Sequence, residues 1–206
     1  MGTIERRRSI RNFGEDEVKR ETVETILDAG LRAPSPKNRQ PWRFIVIMDK
    51  ELKRSLVDSM RNEIHLLLKK ERDRKDIYDS LRTMEIIDKA PVLVFVCYEY
   101  GMVVEHDDGV DWKLSATDLE AVELQSIGAA VENMLLKAEE LGLGSLWCAD
   151  ILYAYKAISK LSERPIVSAV CFGYKKEQPD DRERKSIQEM CFFADKQVND
   201  LRVPIY

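Results

Sequence analysis

From Ala33 to Trp42 the chain reads APSPKNRQPW, and no other stretch restricts the fold as tightly. Pro34, Pro36 and Pro41 each fix a φ angle and bias the preceding residue towards extended backbone. The segment must therefore be a loop whose shape is largely set in advance. Upstream of it, Val23, Ile26, Leu27, Gly30 and Leu31 recur at helical spacing and give a helix one buried face. Downstream, Trp42 to Met48 is apolar and strand-sized. Ser35, Asn38 and Gln40 lie inside the loop and can both donate and accept hydrogen bonds. From these residues alone two readings stand. The loop is a surface turn, or it meets the hydrogen-bonding edge of a planar ligand.

The chain has 206 residues and is 44% hydrophobic, which is enough for one domain, residues 1–206, with a sizeable core. No apolar run approaches a membrane span, and charged residues begin at once, without an apolar leader. A cytoplasmic protein with no membrane partner is expected. Net charge is −4, with both signs interspersed, which argues against nucleic acid but leaves room for local phosphate sites. The four cysteines form no CxxC pair and the two histidines have no nearby ligand partners, so no metal site is expected. Cys97 and Cys171 fall in apolar runs and read as buried, inert thiols.

Mixed α and β structure follows from the periodicities. Glu15, Asp16 and Glu17 suit the N-terminus of the helix that runs into the loop. A second helix starts at Glu51, with Leu52, Leu56, Val57, Met60, Ile64, Leu67 and Leu68 on one side. Lys69 to Asp76 is a solvated face or a connection, and a third helix carries Ile77, Leu81, Met84 and Ile87. Val92 to Tyr98 is continuously apolar and reads as a buried strand. Glu99 to Lys113 reads as a mobile loop near a site entrance, with Trp112 either lining a pocket or packed beneath the loop. The longest helix spans Ser115 to Leu141, stopped by Gly142 and Gly144 as residues tolerant of positive φ. Its wide apolar face carries small residues that allow close helix approach, and a helix buried within one domain accounts for it. A strand at Ser145 to Ala149, a short helix at Ala154 to Leu161 and a strand at Ile166 to Phe172 complete the order.

Two basic clusters stand out. Arg6, Arg7, Arg8 and Arg11 surround Ser9, either as a solvated terminus or as a phosphate clamp of guanidiniums with one hydroxyl. Arg182 and Arg184 alternate, so in extended backbone they point the same way, and a solvated basic turn accounts for them.

Four segments, in order, resemble the nitroreductase family of FMN-dependent oxidoreductases: RRRSIRNF (Arg6 to Phe13), the proline loop, GAAVENMLLKAEELGLGSLW (Gly128 to Trp147) and FGYKKEQPDDRERKS (Phe172 to Ser186). The resemblance implies an α+β fold, an antiparallel sheet flanked by helices, in an intertwined homodimer with FMN at the interface. It gives Arg7, Arg8, Ser9 and Arg11 to the FMN phosphate and ribityl chain, with Arg11 towards the pyrimidine side. A cation there favours hydride acceptance. It gives Pro34, Ser35, Pro36, Asn38 and Gln40 to the flavin, often across subunits. Cys148, Ala149 and Asp150 would approach through their backbone, and Arg182 and Arg184 would close on the phosphate. NADH or NADPH would be the donor and a nitroaromatic, quinone or similar small molecule the acceptor, in a ping-pong sequence without a side-chain nucleophile or metal. A dehydrogenase, a dehalogenase, a flavin-processing enzyme and a non-catalytic flavin store or sensor remain open within the same resemblance. The Glu, Tyr and Lys lid set of flavin deiodinases has no match.

Overall fold

The computed structural model describes residues 2–99 and 116–191. The expected loop at Glu99 to Lys113, with Trp112, and the tail after Phe193 lie, but for Glu99, outside the described residues. In chain order the elements are α1 (Thr3–Arg6), α2 (Arg20–Leu31), β1 (Trp42–Ile47), α3 (Lys50–Lys70), α4 (Lys75–Lys89) and β2 (Val92–Tyr98). They continue with α5 (Ala116–Glu140), β3 (Leu143–Cys148), α6 (Tyr155–Ile158), β4 (Ile166–Tyr174) and α7 (Ile187–Met190). Short 3₁₀ turns occupy Pro36–Asn38, Asp150–Ala154 and Ser159–Leu161.

The four strands form one antiparallel sheet in the order β1-β2-β4-β3. Every residue of β2 is buried, because its two faces meet two different helical layers. Leu93, Phe95 and Cys97 point to the side covered by α3, α4 and α6, where Val57, Met60, Ile64, Met84, Ile87 and Ile158 are packed. Val92, Val94, Val96 and Tyr98 point to the side covered by α2 and α5, against Val23, Ile26, Ala130, Val131 and Met134. The alternation of side chains along a strand forces this split, and an apolar residue at every position requires both covers. The apolar face of α5 is thus spent within the chain, on α2 and the sheet. Asn133 adds a hydrogen bond to the Ala29 carbonyl at 3.1 Å.

Several expectations change. Glu15, Asp16 and Glu17 precede α2 and do not start it. Gly14 donates to the Tyr174 carbonyl and Val18 is buried, so this stretch is held outside the helix, which begins at Arg20. The first-turn acid is Glu21. Leu31, Leu52 and Leu141 are exposed. Beside Leu52, Lys53 takes the inward position on α3, with its ammonium donating to the Ala90 carbonyl at the C-terminus of α4. Burial pushes the Lys53 amine below its ordinary pKa.

Of the two glycines expected to stop α5, only Gly142 has positive φ, at 77°. Gly144 lies inside β3, which begins at Leu143, two residues before the expected start. Its role is close approach: a Cβ there would fall 2.8 Å from Cγ1 of Ile10. Gly144→Ala should therefore cost about 1–3 kcal/mol by overpacking and push the Ser9–Arg11 segment off β3. Denaturant unfolding measures the first effect. A variant as stable as the parent would show that Ile10 moves aside freely.

Candidate functional site

The N-terminal arginines are placed by Ile10. It is 1% exposed, and its amide donates to the Ser145 carbonyl at 2.9 Å while Ser9 bridges Ser145 in parallel. With Ile10 pointing inward, the neighbouring Ser9 and Arg11 side chains project outward. Further contacts zip the segment down. The Arg11 amide donates to Glu177 at 2.9 Å, Phe13 bridges Lys175, and Lys176 donates to the Asn12 carbonyl at 3.0 Å. Beneath it, the largely buried Glu139 accepts from Lys175 at 2.9 Å and pairs with Arg6.

The chain beyond β4 then returns alongside. Arg7, Arg8, Ser9 and Arg11 share a pocket of about 160 Å³ with Pro179, Asp180, Asp181, Arg182 and Arg184. The two basic clusters, far apart in sequence, line one cavity. Five guanidiniums there face two carboxylates. Arg8 is the most constrained of them: it donates to the Glu5 and Arg7 carbonyls at 2.6 and 2.9 Å and pairs with Asp181 at 2.9 Å. Its Nε is nonetheless buried without an acceptor. A buried charged donor left unpaired is costly, and an anionic oxygen in the pocket would satisfy it. The donor set of guanidiniums and one hydroxyl fits a phosphate.

The proline loop does not line this pocket. It leads into β1, at the opposite edge of the sheet from β3 and the arginine segment. Its shape is not set by proline alone. Lys37, Asn38 and Gln40 all adopt left-handed backbone, with φ of 54°, 55° and 52°. Such geometry costs about 1–2 kcal/mol for a residue with a Cβ, less for asparagine. Ser35 supports the loop twice, accepting from Asn38 at its carbonyl (2.9 Å) and from Gln40 at Oγ (3.0 Å). Arg43 donates to the Gln40 carbonyl at 3.3 Å. Arg39 pairs with Glu123 on α5. Trp42, 1% exposed, is packed in the core. Pro34 lies immediately before Ser35, and Pro36 opens the 3₁₀ turn.

Cys148, Ala149 and Asp150 also lie outside the arginine pocket. They leave β3 into the Asp150–Ala154 turn, which α4 holds: Thr83 donates to Asp150 at 2.5 Å, and Tyr153 donates to Asp76. Cys148 is buried, and its hydrogen bond with Cys171 and its burial push the thiol well above its ordinary pKa. Cys97 and Cys171 are buried too, while Cys191 is exposed. Among the described residues no group of three or more His, Cys, Asp or Glu is set to hold a metal ion.

Reasoning from sequence missed Glu177, Asp181 and the Arg39–Glu123 pair. Only Glu123 carried a signal, since it stands four residues before Ile127 on the apolar stripe of α5.

The contact between α4 and the Asp150–Ala154 turn involves a titratable group. Hydrogen bonds from Arg74 and then Tyr153 hold the Asp76 carboxyl well below the usual carboxylate range. Its contribution to stability is present above the ordinary value and lost as pH falls through the lowered one. Asp76→Asn should be less stable than the parent at neutral pH, with the gap closing in strong acid. Urea unfolding at several pH values checks this; a gap independent of pH would contradict it.

A family model described as "Nitroreductase family" matches residues 4–174. A protein of Archaeoglobus fulgidus, provisionally named NADH dehydrogenase/NAD(P)H nitroreductase, is 30% identical over 180 residues, covering 84% of each chain. Among solved structures, a BluB-like flavoprotein from Clostridium difficile superposes with TM-score 0.76 at 27% identity, over 93% of this chain and 96% of that one. A provisionally named nitroreductase from Desulfovibrio desulfuricans, in complex with FMN, gives TM-score 0.66 at 26% identity, over 99% and 96%. Among the described residues no helix is long and apolar enough to cross a membrane.

Proposed function

The chain belongs to the nitroreductase family, and from that premise we propose an FMN-dependent oxidoreductase that takes hydride from NADH or NADPH and reduces nitroaromatic, quinone or similar small acceptors. One observation carries the cofactor assignment: two basic segments meet at a single pocket in which a buried Arg8 donor lacks an acceptor. When bound, FMN supplies the redox chemistry, receiving hydride from the nicotinamide and passing two electrons to an acceptor that follows it into the cleft.

The chain's own residues bind and orient. Arg7, Arg8, Arg182, Arg184 and the Ser9 hydroxyl hold the phosphate, where bidentate guanidinium contacts give both strength and direction. Arg11, fixed through its backbone to Glu177, provides positive charge on the flavin side of that clamp. Asn38 and Gln40, with Pro34, Ser35 and Pro36 shaping their loop, offer amides to the flavin edge. Ala149, Asp150 and the backbone of Cys148 border the ring at the turn after β3. The proline loop and the arginine pocket sit at opposite edges of one sheet. A homodimer, in which each site takes its arginines from one subunit and its loop from the other, resolves that separation. Trp147, Tyr155 and Tyr174 are exposed aromatic surface available to such an interface.

Anaerobic absorption spectra before and after NADPH and then NADH test the reading. A bound flavin spectrum that bleaches with either donor is the expected result. A flavin indifferent to both would replace the reductase reading with another flavin chemistry or with storage, and no uptake of FMN would sink the site assignment. In the Arg11→Ala variant, reduction should slow on the order of tenfold, less than for a fully buried donor because Arg11 is exposed. Unchanged reduction kinetics would remove Arg11 from its role.

A further inference from the structure

Glu123 has no evident reason to be charged. It is 1% exposed on the stripe of α5 that otherwise carries Ile127, Ala130 and Val131, and a leucine would suit that packing. Its two oxygens are buried and make no hydrogen bond beyond the ion pair with Arg39. The Arg39 side chain is mostly buried as well, with its Nε lacking an acceptor. A buried pair with such incomplete hydrogen bonding is weak support for stability, since desolvation of both charges offsets their attraction.

Arg39 lies between Asn38 and Gln40, both in left-handed backbone. The residue at the centre of the strained segment is therefore the one tied to α5. We propose that Glu123 is a positioning residue for the cofactor: through Arg39 it holds Asn38 and Gln40 in the geometry that presents their amides to the flavin, an inference that rests on the functional reading above. Ser35 and Arg43 support the same loop from within and from β1. The Arg39–Glu123 ion pair joins it to the helix behind. Burial keeps the contact from being screened by salt as a surface pair would be. A buried carboxylate that contributes little to stability is accounted for if it selects one loop conformation over the unstrained alternatives.

The test compares the parent, Glu123→Gln and the double variant Arg39→Met/Glu123→Leu, each prepared as the full chain. Thermal midpoint of the FMN-free protein, FMN affinity, flavin midpoint potential and amide exchange at Asn38 and Gln40 are measured. The double variant should be as stable as the parent or more so, because two imperfectly satisfied buried charges give way to apolar packing. Both variants should bind FMN about tenfold more weakly, with a shifted potential and faster exchange at both amides. Parental FMN affinity and potential in either variant would overturn the proposal. So would a double variant that loses thermal stability yet keeps parental affinity and potential, since the pair would then be structural only. If the parent itself takes up no FMN, the cofactor role falls with the functional reading. The exchange rates then decide separately whether Glu123 holds the loop.

Discussion

One strand without a polar face, β2, imposes the arrangement of everything else. A strand apolar at every position cannot leave either face in water, so helices must cover both sides of the sheet. The α3–α4–α6 layer does this on one side and α2 with α5 on the other. Once the centre is closed, chemistry can be placed only at the ends and edges of the sheet. The arginine pocket lies along the β3 edge and the proline loop at the start of β1, the other edge. The separation of these two segments is thus a consequence of how the core is covered.

Charge is positioned in this protein by backbone pairing more than by other charges. Ser9 and Arg11 project from the surface because Ile10 is buried against Gly144, and the Asp180–Arg184 segment comes beside them because β4 ends where the N-terminal segment is zipped down. The guanidinium of Arg8 is engaged by Asp181 and two carbonyls, and its unpaired Nε leaves the pocket one acceptor short. The loop at the other edge follows a different logic. Its left-handed backbone is supported by local hydrogen bonds to Ser35, and Arg39 within it pairs with the buried Glu123 on α5.

The order of elements and most core positions were legible in the sequence, because helical spacing in α2, α3 and α4 and the unbroken apolar run of β2 are local signals. The start of α2 was not. Acidic residues before a helix usually mark its first turn, but here burial of Val18 and the Gly14 contact with Tyr174 hold them outside the helix. Gly144 was misread for a related reason: its need for a missing Cβ comes from Ile10, more than a hundred residues away in sequence. The two arginine clusters were each visible, and their resemblance to a family pattern paired them. Nothing in their local sequence could show that they line one pocket. Glu177 and Asp181 were invisible because a carboxylate in a charged, exposed stretch carries no sign of which amide or guanidinium it will meet.

The central claim is that the arginine pocket recognises the phosphate of FMN, and the comparison of FMN with riboflavin measures it directly. The two ligands share the ring and the ribityl chain and differ only in the phosphate. Fluorescence titration of the FMN-free protein should give a preference for FMN of about a hundredfold or more, from two or more charge-assisted contacts. That preference should collapse in Arg8→Ala and Arg184→Ala while riboflavin affinity stays the same. Equal binding of the two ligands, or an FMN preference untouched by both substitutions, would contradict the account.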